Sequence, residues 1–153
     1  MADEDQRMRA SETTDPQIEY EADLRHRNRV LELLAEGRVR SPEDRFRAAL
    51  ILQHTPAVLC DGRLGSQSLE NYLLAHFLAK SAAEAGYRPA RRMTAMTLDR
   101  YLAFSGRPQK YGTHSTFNEA AGRYELGAVD PATTDADRAL WDVEPLAVLR
   151  GER

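Results

Sequence analysis

Twice in its N-terminal third the chain writes the same start signal, a capping residue followed at once by proline: Asp15-Pro16 and Ser41-Pro42. Proline suits the first turn of a helix, where its missing N–H would be unpaired anyway, and an Asp or Ser before it accepts from the free amides of that turn. These two positions commit the chain to helices that begin there. Behind Pro16, Tyr20, Leu24, Leu31 and Leu34 recur at helical spacing until Gly37 supplies a stop, which predicts a first helix over Pro16 to Glu36. Behind Pro42, Glu43 and Asp44 complement the helix dipole, and Phe46, Ala49 and Leu50 begin the buried stripe of a second helix, expected to fray near Pro56.

Further along, Asp61 to Gln67, with Gly62 and Gly65, reads as a loop, and Ser68 caps a third helix carrying Leu69, Tyr72, Leu73, Leu74, Phe77 and Leu78 as far as Gly86. So wide an apolar belt predicts a central helix packed against several others. Pro89 opens a fourth helix through Met93, Met96, Leu98, Leu102 and Phe104 to Gly106. Thr113 to Phe117 and Arg123 to Ala128 alternate like strands around Asn118 to Gly122, which fits a small hairpin. Asp130-Pro131 is a turn, Thr134 caps a short helix with Asp137 at its third position, and Trp141, Leu146, Val148 and Leu149 close the C-terminus onto the bundle. The expected fold class is mainly α: four principal antiparallel helices, a small β-hairpin and a short helical C-terminus.

With 153 residues, 42% of them apolar, the chain can bury a core without disulfides or metal, and one domain is expected over residues 16–153. Residues 1–15 are acidic and polar with almost no apolar periodicity, and so are read as a flexible tail. Cys60, the one cysteine, has no disulfide partner and no CxxC or zinc pattern, and reads as a small half-buried hydrophobe. A net charge of -3, with 21 basic residues dispersed among 24 acids, leaves no footprint for nucleic acid. No apolar run approaches the roughly 20 residues of a membrane span and the N-terminus lacks a signal-peptide pattern, so a cytoplasmic location without a membrane partner is expected.

Polar chemistry concentrates between Thr97 and Thr116, where Asp99, Arg100, Gln109, Tyr111, Thr113 and His114 surround a helix end and a glycine-containing turn. On the fourth helix Arg100 falls with Met93, Met96, Tyr101 and Phe104, and Asp99 with Ala95, Leu98 and Leu102, so at least one of the two reaches into the fold. Unpaired buried charge is costly, so partners are expected: for Arg100 an acid such as Asp99 or backbone oxygens of the Gln109 to Thr113 turn, and for Asp99 either a direct role or bonds that order that turn. On the second helix the stripe extends to Gln53 and His54; on the third, His76 lies in line with Leu69, Tyr72 and Leu73. Inward histidines serve as acid/base groups, as metal ligands or as core residues bonded to a carbonyl. Neither sits in an HExxH pair, so no metal is expected. GxGxxG, GxxxxGKS/T and GxSxG are absent, so no nucleotide cofactor and no serine-hydrolase chemistry are indicated.

Gln53-His54, NYLLAHFLAKSAAEAGYRPAR at Asn71 to Arg91, Asp99-Arg100 and PQKYGT at Pro108 to Thr113 stand in one order. In these motifs the chain resembles an uncharacterised bacterial domain-of-unknown-function family with Q-H, Y-x-x-A-H, D-R and P-Q-x-F/Y-G-T-Q, over roughly Asp23 to Leu149. The last glutamine of that pattern is His114 here. The family brings no activity to transfer. Asn71 to Arg91 also resembles one tetratricopeptide-like repeat, which implies a TPR-like pairing of helices.

The leading expectation is a small-ligand or general acid/base pocket where helices two to four meet the PQKYGT turn. In it His54, His76 and Asp99 would do the catalytic work, and Gln53, Arg100, Gln109, Tyr111 and Thr113 would bind the ligand. The expected partner is a small anionic molecule. The alternative is a non-catalytic helical module that presents an apolar groove to a protein or peptide.

Overall fold

Asp15 and Ser41 act as their places before proline predict. The Asp15 carboxylate accepts from the Gln17 N–H at 2.8 Å and opens α2 (Pro16–Ala35). Ser41 and Asp44 exchange side-chain-to-backbone bonds of 3.0 Å each, a capping box that opens α3 (Pro42–Leu52). α4 (Leu69–Glu84) stops at Gly86, whose φ of 87° lets the Tyr87 N–H turn back to the Ala82 carbonyl at 3.0 Å. α5 (Ala90–Phe104) follows at once. The computed structural model describes residues 1–10, 15–54, 57–60, 63–66 and 68–151.

α4 packs against both α3 and α5, and α2 lies against α3. The fully buried stripe of α4 is Tyr72, Ala75, Ala79 and Ala82, and its alanines let the flanking helices approach closely while Ile51 and Leu52 of α3 and Met93 of α5 fill the space. The apolar belt is therefore narrower than the sequence suggested: Phe77 is 58% exposed. A second, smaller cluster of Ala95, Tyr111 and Val143, with Leu98, Trp141 and Leu149 against it, fastens the C-terminal third to α5. That third contains the expected hairpin, β3 (Ser115–Asn118) antiparallel to β4 (Arg123–Leu126) with Ser115 opposite Leu126, and then α6 (Asp135–Ala139) and α7 (Leu146–Leu149). Thr134 and Asp137 form the expected cap of α6.

Two segments differ from expectation. Residues 2–9 are not a tail: they form α1 (Ala2–Arg9), which packs on α2 and α3. It buries only Ala2 and Asp5, so a count of apolar residues could not reveal it; polar side-chain contacts hold it, Arg9 to Glu19 and Asp23 of α2 and Asp5 to His54 just beyond α3. Where a loop was expected, β1 (Ala57–Cys60) pairs antiparallel with β2 (Arg63–Ser66), Ala57 opposite Ser66 and Cys60 opposite Arg63. Gly65, taken as a loop residue, lies within the second strand. The expectations for Pro56, for Asp61, Gly62 and Gln67, and for the Cys60 side chain lie outside the described residues. The chain is thus mainly helical with a small antiparallel hairpin in its C-terminal third; the described residues form seven helices, of which α2 to α5 answer to the four expected principal ones, α6 and α7 to the short helical C-terminus, and α1 is additional. No helix among them is long and apolar enough to cross a membrane.

Candidate functional site

After Gly106 the chain doubles back along α5, and Asp99 holds it there. The Asp99 carboxylate is completely buried; its Oδ1 accepts from the Lys110 and Tyr111 N–H groups at 2.7 and 2.9 Å, and its Oδ2 from the Thr113 N–H and hydroxyl, both at 2.8 Å. An ionised carboxylate has about four acceptor positions, and the turn fills them all. Gln109, also buried, closes the same turn: its amide donates to the His114 carbonyl at 2.7 Å and accepts from the His114 N–H at 2.8 Å. Gly112 adopts a φ of 84°, and a Cβ there would stand 3.2 Å from Val129 Cγ2. The Tyr111 carbonyl accepts from Nε of Arg138, which is 1% exposed and also donates to the Thr133 carbonyl and to Asp135. Asp99, Gln109 and Thr113 are thus occupied in building the turn.

What the turn builds is one wall of a cleft of about 550 Å³, within the range of small-molecule sites. α4 contributes His76 and Lys80, α5 Leu98, the turn Lys110 and Tyr111, and the region around α6 Asp130, Ala132, Thr133, Asp137, Leu140 and Trp141. His76 is half-buried, with Nδ1 3.0 Å from the Thr94 carbonyl. A carbonyl can only accept, so Nδ1 carries the proton and the lone pair is on Nε2. Burial pushes the imidazole below its ordinary pKa of 6.5 and the charges of Lys80 and Lys110 push the same way, against the bond to Thr94. His76 is a neutral base near pH 7. Tyr111 is pushed up by burial and by the charges of Asp99 and Asp137, so its phenol stays protonated.

His54 is elsewhere. Its Nδ1 bonds Asp5 of α1 at 2.9 Å, and it does not line the cleft that His76 lines. Both histidines point inward from neighbouring helices as projected, but toward different partners, α1 for one and α5 for the other; the expected convergence is not what the structure shows. Arg100 is partly buried as expected, but it donates to the Gln53 carbonyl at 2.7 Å, not to Asp99 or to the turn. That carbonyl lies at the C-terminal end of α3, where a cation complements the helix dipole. Burial holds the guanidinium below its ordinary pKa. Gln53 is buried beside it, outside the cleft. The His114 ring lies against Phe104, 5.6 Å between centroids, and is pushed down by burial and by Arg100, against Asp99.

Of the predicted residues, His76 and Tyr111 line the cleft, Asp99, Gln109 and Thr113 shape it, and Gln53, His54 and Arg100 lie outside it. Sequence reasoning missed Lys80, Lys110, Asp130, Asp137, Trp141 and the clamp Arg138. The helical spacing of His76 and Lys80 could have found the lysine. Among the described residues no three or more His, Cys, Asp or Glu side chains are grouped to hold a metal ion.

The chain matches no family model, no curated protein and no solved structure.

Proposed function

We propose that this domain binds a small molecule in the cleft between α4, α5, the 108–114 turn and α6, with His76 as the group that engages the ligand's proton. The observation that carries this is the 3.0 Å approach of His76 Nδ1 to the Thr94 carbonyl: since the carbonyl can only accept, the neutral ring keeps its lone pair on Nε2, in a cleft that also holds Lys80, Lys110 and Trp141. Such an imidazole accepts a hydrogen bond from a hydroxyl or N–H, and in a catalytic version of the site it takes that proton as general base. Asp99 is then a positioning residue, which acts through the turn that carries Lys110 and Tyr111.

The test is a screen of small acids, amines and neutral fragments, followed by the ring resonances of His76 and the emission of Trp141. At least one class should move both signals, and His76→Asn should weaken it. If no compound moves both, the reading fails. The second reading, an interaction module, is favoured by one observation: Phe117 and Tyr124 pair edge-on at 5.3 Å across the β3–β4 hairpin while 54% and 72% exposed. A TPR-like pairing of helices belongs with that alternative.

A further inference from the structure

Two charges in the cleft are held by hydrogen bonds and two are held more loosely. The Asp137 carboxylate closes the cap of α6, accepting from the Thr134 N–H and hydroxyl at 2.9 and 2.7 Å, and Asp130 accepts from the Ala132 N–H at 2.9 Å. Each acid is held by its own turn. The lysines are looser: Lys80 Nζ is 3.9 Å from Glu84 on the open face of α4, and Lys110 Nζ, 5.5 Å from the centre of the Tyr111 ring, acts on Asp137 through its charge but makes no ion pair within 4 Å among the described residues. Lys80 stands one helical turn after His76 on the same face of α4, and both lysines act on the His76 imidazole through their charge. The cleft also has apolar side chains in its lining, among them Leu98, Leu140 and Trp141. Leu98 and Trp141 are half-buried, and Leu140, just beyond α6, is 64% exposed although it lines the cleft. Water wets that leucine in the free protein, and an apolar ligand group would cover it.

We infer that the ligand of this cleft is a small monocarboxylate with an apolar body, its charged end between Lys80 and Lys110 and its body on Leu98, Leu140 and Trp141. This rests on the reading of the cleft as a ligand site. The formal charges of the lining balance, two lysines against two carboxylates, but the carboxylates already accept hydrogen bonds within their own turns while the ammonium groups are held more loosely, so an anion can meet the lysines; a single negative charge draws half the repulsion from Asp130 and Asp137 that a dianion such as phosphate draws. The apolar side chains select the body, since an inorganic anion would leave them wet.

Trp141 is the chain's only tryptophan, so its fluorescence reports on this cleft. The experiment titrates the full chain with sodium hexanoate, 1-hexanol and inorganic phosphate. Hexanoate should change the emission saturably, 1-hexanol should bind roughly tenfold or more weakly, the equivalent of one lost charge contact, and phosphate should leave the emission unchanged. Lys110→Gln and Lys80→Gln should each weaken hexanoate and not hexanol; Leu140→Ser should weaken both. Unchanged near-ultraviolet circular dichroism shows that the variants fold. Hexanol or phosphate binding as tightly as hexanoate overturns the carboxylate assignment and leaves the cleft a ligand site, and so does silence toward hexanoate while the fragment screen succeeds. Silence in both experiments removes the underlying reading as well.

Discussion

Asp99 and Asp5 are both completely buried carboxylates, yet they hold their surroundings in different ways. Asp99 accepts four hydrogen bonds from one short turn, three of them from backbone N–H groups. Asp5 accepts from His54 and from its neighbour Gln6, stands 3.7 Å from Arg9, and leaves Oδ1 without a hydrogen bond. Burial would raise the Asp5 carboxyl, but His54, Gln6 and Arg9 outweigh it and hold the group below its ordinary value. The difference teaches that burying a charge does not by itself make an anchor: the anchor is the carboxylate whose every acceptor position is filled. The turn beside the cleft has such a group; α1 does not.

The largest expected effect follows at Asp99. Asp99→Ala strands four donors and should cost on the order of 4 kcal/mol in urea unfolding. Asp99→Asn keeps one acceptor oxygen but sets its NH2 against a backbone N–H of the turn, so it should cost about as much. If Asp5→Ala proves equally damaging, the contrast is broken.

Next comes Gly112→Ala, which sets a side chain in the left-handed region and against Val129. A loss of about 1–2 kcal/mol is expected, with a change in Trp141 emission as the turn shifts. A smaller cost, about 1 kcal/mol, is expected for Asp5→Ala, because the residue it removes is only partly satisfied. Hydrogen exchange sharpens the comparison here: in that variant amides of residues 2–9 should lose protection while those of α4 and α5 keep theirs.

The smallest effects concern pH. Asp5 has a folded-state pKa below its unfolded one, so its stabilisation is present above about pH 3.8 and is lost as the pH falls further, and α1 should be released before the α3–α5 core. His76 is lowered too, so the unfolded chain takes up its proton first; stability should decline as the pH falls through about 6.5. Thermal midpoints of the wild type and of His76→Asn across that range check this, and the slope should shrink in the variant. An unchanged slope would mean that His76 does not titrate differently in the fold.

Those elements that could be read beforehand share a local cause. The starts at Pro16, Pro42 and Thr134, the stop at Gly86 and the hairpin at Ser115 to Leu126 each follow from residues a few positions apart. What could not be read depends on partners distant in sequence. α1 exists through Asp5 with His54 and Arg9 with Asp23; Arg100 chooses a carbonyl on α3; Arg138 reaches back to Tyr111. Periodicity tells that His54 and His76 face inward but not which helix each will meet. The cleft itself was half legible, since His76 and the PQKYGT turn were visible while the α6 wall, with Trp141 and Leu140, joins them only through tertiary packing.

The Gln109 side chain, which gives and takes one bond with His114, makes the position sensitive to direction rather than to size. Glutamate has the same shape but no hydrogen to give, so it would set a negative oxygen against the His114 carbonyl; leucine would leave both peptide groups idle without opposing either. In a library of variants at this position, the nearest look-alike should rank below a hydrocarbon.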